Sequence, residues 1–173
     1  LLRKKHQLTP DRIAKVTALV PKETIHIIAE PVANKVRPAN DYDAKFSVQY
    51  FVATCLARGR FGLPELEADA RNNGEILALA QKVEAAADPE TRFPDYFSGG
   101  VVITTTDGRE FRHHEPINRG AGDRALTADE IEAKYRDNAR LAVAENRVQE
   151  IRDIVLGMES LAAREVAQKL AAG

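Results

Sequence analysis

The densest apolar run lies between Phe46 and Leu56, where Phe46, Val48, Tyr50, Phe51, Val52, Ala53, Cys55 and Leu56 leave almost no polar side. A helix apolar nearly all round is an interior one, so the pattern predicts a buried helix over 43–57. Gly59 stands where a helix turns left-handed to stop, with Arg58 suited to its negative end. Helical spacing returns over 63–70 and again over 74–87, where Ile76, Leu77, Ala80 and Val83 share a face and Asp88-Pro89 marks the stop. Thr127-Ala128-Asp129-Glu130 reads as a capping box that opens a helix carrying Ile131, Tyr135 and Leu141. Val148, Ile151, Ile154, Val155 and Met158 keep the same period, and Ser160 is positioned to cap a last short helix reaching Leu170.

Strand signals are fewer. Two β-prone runs, 101–106 and 109–114, flank Asp107-Gly108, which predicts a β-hairpin closed by a two-residue type I′ turn. The run Lys15-Val16-Thr17-Ala18-Leu19-Val20, ended by Pro21, predicts another strand. Upstream, residues 1–8 read as the end of a helix, and Thr9-Pro10-Asp11 restarts the chain. Pro21, Pro31, Pro38 and Asn40-Asp41 make 21–42 an extended connection with one short strand at 25–28. Helices and strands mix without βαβ alternation. The expected class is α+β: a small mixed or antiparallel sheet with a β-hairpin, packed against several helices including one buried helix, in a single domain over 1–173.

Composition narrows the function classes. The chain carries 25 basic and 26 acidic residues with no basic cluster, which argues against nucleic acid as a partner. No apolar stretch reaches the roughly 20 residues of a membrane span. The single cysteine, Cys55, lies among apolar neighbours; core packing and a reducing, cytoplasmic setting are expected. The absence of an initiator Met suggests a fragment or a processed chain.

Metal and cofactor chemistry find no motif. His6 and His26 are isolated, and the adjacent His113 and His114 would point to opposite faces of a strand, solvent-facing more readily than catalytic. No phosphate-binding loop, dinucleotide fingerprint or nucleophile elbow occurs, so no metal and no cofactor is expected. What remains is Asp43-Ala44-Lys45-Phe46-Ser47-Val48-Gln49-Tyr50. With the helix starting at Asp43, Lys45 falls in its first turn, and an ammonium, a hydroxyl and free amides there would suit a small polycarboxylate. Against that, Lys45 can equally reach out to solvent, Ser47 can be a tolerated small residue, and Tyr50 can be core. Arg119, in the polar loop Asn118-Arg119-Gly120, is a second carboxylate candidate that a plain surface turn would also explain.

The order of these pieces resembles the MmgE/PrpD family, the 2-methylcitrate dehydratase-like lyases, over almost the whole chain. His6-Gln7-Leu8-Thr9-Pro10-Asp11-Arg12-Ile13 is similar to the family's "HGLTPDDI". Asp43 to Tyr50 followed by Gly59-Arg60-Phe61-Gly62-Leu63 resembles "DAKFSLPY…GRxGL". Arg119-Gly120, Leu126-Thr127, Glu130 and Lys134-Tyr135-Arg136-Asp137-Asn138-Ala139 resemble "RG…PLTxEElxxKFrxNA". Gln49 and Ala125 stand where the family usually has Pro, and Tyr135 where it has Phe. The resemblance implies a carboxyl-terminal domain lining one wall of an interdomain cleft. The enzyme would be a cytoplasmic, cofactor-free hydro-lyase, without an iron–sulfur cluster, acting on acids such as 2-methylcitrate in propionate catabolism. A helical amino-terminal domain, absent from this chain, would complete the cleft, and a homodimer is expected. Lys45 and Tyr50 are then the catalytic candidates, and Lys45, Ser47 and Arg119 the substrate-binding ones. Related epimerases and decarboxylases widen the possible reactions, and a non-catalytic structural or dimer-forming module is the alternative.

Overall fold

The computed structural model describes residues 1–171, which divide after Ala125 into two compact units, the second beginning at Leu126. The first is built on a four-stranded mixed sheet of β1 (Ile13–Val20), β2 (Val83–Ala87), β3 (Gly99–Thr105) and β4 (Glu110–Glu115) in the order β2-β1-β3-β4. β1 pairs in parallel with β2 and antiparallel with β3, and β3 pairs antiparallel with β4. The class is α+β, as the sequence implies.

A parallel pair needs a long crossover, and 21–82 supplies it as short helices. After α1 (Leu2–His6) and β1 come α2 (Ile25–Ile28), α3 (Val32–Val36), α4 (Asp41–Lys45), α5 (Val48–Arg58), α6 (Ala68–Arg71) and α7 (Gly74–Ala80). α5 and α7 pack on each other, and α5 packs on β1 and β2. Tyr50, Ala53 and Leu56 of α5 meet Ile76, Leu79 and Ala80 of α7 and Ile13, Val16, Val83 and Ile103 of the sheet in one core. Gly59 ends α5 at φ +77° with its N–H on the Cys55 carbonyl.

Several local expectations are corrected. Residues 21–42 are not extended, and 25–28 is helical. The strand propensity of Ile-His-Ile-Ile has no partner there, because β1 takes β2 and β3 as neighbours. Over 63–70 the chain makes a 3-10 turn, Leu63–Leu66, before α6. The helix expected over 74–87 stops at Ala80, and Val83–Ala87 is β2. An alanine-rich stretch prefers helix in isolation, but the open edge of β1 draws it into the sheet.

The hairpin stands, with a different turn. Gly108 has φ +82° while Asp107 keeps a negative φ, and Gly108 N–H donates to the Thr105 carbonyl at 2.9 Å. The loop therefore has three residues, 106–108, a type I turn followed by a glycine bulge. Asp107 is occupied as a bridge instead, accepting from the Thr105 hydroxyl and from Arg109 Nε, and these bonds hold its carboxyl far below the usual range.

The second unit contains α8 (Ala128–Ala139), α9 (Glu145–Leu156) and α10 (Ala163–Ala171). The capping box opens α8, with Thr127 accepting from Glu130 N–H and Glu130 from Thr127 N–H. Tyr135 Oη donates to the Val148 carbonyl at 2.8 Å, and Arg152 pairs with Glu132, which fixes α8 and α9 antiparallel. Ser160 does not cap α10. It lies in a 3-10 turn, Met158–Ser160, with its hydroxyl on the Gly157 carbonyl.

Candidate functional site

The helix expected over 43–57 is two helices meeting at an elbow, and the break decides where Lys45 and Ser47 lie. Asn40 caps α4 by accepting from Asp43 N–H at 2.9 Å. α4 ends at Lys45, and Ser47 caps α5 by accepting from Tyr50 N–H at 2.9 Å. Lys45 is thus in the last turn of α4, where the helix dipole favours a cation, not in the first turn of the buried helix. Its ammonium is half-exposed and 2.8 Å from the Asp41 carboxylate one turn back. That bond holds Asp41 below the usual carboxylate range.

Ser47 is buried, and its hydroxyl is committed twice, accepting from Tyr50 N–H and donating to the Lys35 carbonyl. Tyr50 is fully buried and donates its phenol to the Glu65 carbonyl at 2.6 Å, while burial pushes its pKa up. Lys45, Ser47 and Tyr50 therefore share one junction. Lys45 puts its charge at the surface, and the other two hydroxyls hold the junction together from inside. Arg119 belongs to a different element, the exposed turn after β4. There Gly120 takes φ +92° and donates to the Arg124 carbonyl at 2.8 Å.

Two charged residues under the elbow escaped the sequence reading. Lys35 is only 6% exposed, and its ammonium donates to the carbonyls of Ile27 at 2.6 Å and Phe46 at 2.7 Å. Glu65 is fully buried, accepting from Arg60 Nε and from Gly62 N–H, each at 2.9 Å. The stretch Gly59-Arg60-Phe61-Gly62 thereby gains a physical role. Its arginine pairs with the Glu65 carboxyl, its Gly62 amide donates to it, and Phe61 packs edge-on against Phe51 at 4.9 Å. Gln49, also buried, donates to the Ala29 carbonyl at 3.0 Å while its Oε1 has no hydrogen-bond partner. Helix, cap and carbonyl clamp together frame the elbow from inside, with the Lys45 ammonium at its surface.

His113 and His114 take separate partners, as adjacent strand positions on opposite faces require. His113 pairs with Glu115 at 2.7 Å. His114 does not face solvent: its ring lies mostly buried against Asp88 at 2.9 Å, in space left by Gly100, where a Cβ would come within 3.1 Å of the ring. Burial works against ionising Asp88, but hydrogen bonds from His114 and the Glu90 amide hold its carboxyl below the usual range. Cys55 is half-buried, and burial raises its thiol to about 11. Among the described residues, no group of three or more His, Cys, Asp or Glu side chains could hold a metal ion, and no helix is long and apolar enough to cross a membrane.

Residues 1–160 match the profile of the MmgE/PrpD C-terminal domain. The chain belongs to the MmgE/PrpD family. It is similar to cis-aconitate decarboxylase of Mus musculus, 23% identical over 173 residues, with 98% of this chain and 35% of that protein covered. The Homo sapiens cis-aconitate decarboxylase is 24% identical over 91% of this chain and 33% of its own length. The cis-aconitate decarboxylase-like protein oryM of Aspergillus oryzae is 26% identical over 93% of this chain and 35% of its own. This MmgE/PrpD chain thus spans about a third of the length of the curated relatives it matches.

Proposed function

We propose that the chain forms one wall of the active-site cleft of a lyase for small polycarboxylates, and that a helical part of the same protein forms the other. The observation that carries this reading is the family match across residues 1–160. The elbow between α4 and α5 supports it with a half-exposed ammonium, Lys45, mounted on a buried hydrogen-bonded frame. In this reading a substrate carboxylate takes the place of Asp41 beside Lys45. Ser47 and Tyr50, buried behind it, hold the wall's shape rather than touch the acid, and Arg119 offers a second carboxylate contact.

The reaction places charge on a carbon next to a carboxylate. In dehydration of an acid such as 2-methylcitrate, a base removes the proton from that carbon and the hydroxyl leaves with a proton as water. In decarboxylation, the bond to a carboxyl group breaks, carbon dioxide leaves and the carbon takes a proton. Both steps build up negative charge that fixed cations stabilise. The second reading draws support from the relatives, whose names specify cis-aconitate decarboxylase. The complete protein is read as a homodimer, which sedimentation would check.

A panel of tricarboxylates offered to the full-length protein separates the two, following water loss by the absorbance of the unsaturated product and carbon dioxide release directly. Turnover of one tricarboxylate is the expected result. A folded full-length protein that turns over none of them contradicts the proposal.

A further inference from the structure

At the far end of α5 from the elbow, two arginines carry more donors than the chain gives them acceptors. α5 is 11 residues long, so its last turn lies about 16 Å from Ser47. Gly59 turns the chain there at φ +77°, and the Arg3 guanidinium of α1 lies over it: a Cβ on Gly59 would meet Arg3 Nη1 at 2.9 Å. Leu2 and Leu8, on either side of Arg3 in the chain, belong to the core, which pins this end of α1 in place. Arg3 Nε is buried without a hydrogen-bond partner, and among the described residues the side chain makes no ion pair. A guanidinium that served only the negative end of α5 would donate to its last carbonyls, and Arg3 donates to none of them. A buried, charged donor left unpaired is costly, and it points to an acceptor that these residues do not supply.

Arg60, next to Gly59, is held from behind instead. Its Nε donates to Glu65 Oε1 at 2.9 Å, with the Arg60 side chain 70% exposed and the Glu65 side chain 1% exposed. The other Glu65 oxygen accepts from Gly62 N–H. A buried carboxylate thus sets the plane of an exposed guanidinium and leaves its terminal amino groups turned to solvent. A guanidinium already held in place loses little freedom on binding, and its fork suits two oxygens of one anion. Arg58, Lys4 and Lys5, all exposed and adjacent in the chain to these two arginines, add to the positive potential.

We propose that Arg3 and Arg60 bind a small oxyanion, a phosphate group or a carboxylate, at the carboxyl end of α5. Arg60 offers the preset fork and Arg3 the unpaired donor. The site stands apart from the elbow and does not depend on the role given to Lys45.

Isothermal titration calorimetry of the full-length protein at constant ionic strength tests this, with inorganic phosphate in one arm and tricarballylate, a saturated tricarboxylate with no hydroxyl to lose, in the other. Binding of at least one is expected, and the tighter of the two tells phosphate from carboxylate. Arg3→Gln, which breaks no bond within these residues, is expected to weaken that binding by about tenfold or more with the Tm unchanged. Arg60→Lys keeps a charge beside Glu65 but loses the fork, and is expected to weaken it as well. Binding that Arg3→Gln leaves intact, or binding abolished by Lys45→Ala, places the anion elsewhere and overturns the proposal. No binding of either anion also overturns it, and a lowered Tm of Arg3→Gln in that case assigns Arg3 to an acidic residue of the remaining polypeptide.

Discussion

Lys35 Nζ sits 2.7 Å from the carbonyl oxygen of Phe46, the residue between the two helices of the elbow. A second bond to the Ile27 carbonyl at 2.6 Å ties the crossover to the same point, and the Lys35 carbonyl accepts from Ser47. Three neighbouring pieces of the crossover, around Ile27, Lys35 and Phe46, are joined through one lysine. Lys35→Met keeps the side-chain length but leaves two inward-facing carbonyls without a donor. It is expected to cost roughly 2–6 kcal/mol, counting about 1–3 for each of the two buried groups left unpaired. Chemical denaturation of the 173-residue chain measures it, and wild-type stability would show that the carbonyls find other donors.

Tyr50 makes a comparable bond deeper in the core. Its phenol is the donor to the Glu65 carbonyl, so Tyr50→Phe removes the bond and little volume. A loss of about 1–3 kcal/mol is expected in the same measurement, the cost of an orphaned buried acceptor. An unchanged midpoint would mean that the Glu65 carbonyl is not held by Tyr50.

Much of this frame was legible in the chain. Apolar density announced the buried helix, Gly59 its end, Asp107-Gly108 the hairpin and Thr127 with Glu130 the capping box, because each signal acts within a few residues. Strand β2 was not legible. Glu84-Ala85-Ala86-Ala87 is a helix-forming string, and only the edge of β1, some seventy residues earlier, makes it a strand. The elbow was half-legible. Ser47 before an apolar run is a helix-start signal of the same kind as Thr127, but the helical residues on its other side disguised it. The burial of Lys35 left no local mark at all, since the carbonyls that solvate its ammonium come from Ile27 and Phe46. Of the candidate site, the sequence located the junction of Lys45, Ser47 and Tyr50, but not which groups face outward.

Cys55 supplies a pH test of the core. Burial raises its thiol from an ordinary value of 9.0 to about 11, so the folded chain favours the neutral form more than the unfolded chain does. The stability this contributes is fully present below pH 9 and is lost as pH rises through about 11. Thiol-specific labelling of the native chain at pH 8 is expected to be much slower than in denaturant, and Cys55→Ala is expected to flatten the fall in stability between pH 9 and 11. Rapid native labelling at pH 8 would show an accessible thiolate and contradict the assignment.

The proposal that the elbow forms part of a polycarboxylate site meets its most direct test in the kinetics of Lys45→Ala in the full-length protein. The ammonium is half-exposed and, among the described residues, bonds along its own helix to Asp41, so its removal should leave the fold intact. The account predicts a fall in kcat/KM of about tenfold or more, equivalent to roughly 1.4 kcal/mol of lost transition-state binding, with the Tm unchanged. Wild-type kinetics in a folded Lys45→Ala protein would remove this cation from the site and contradict the account.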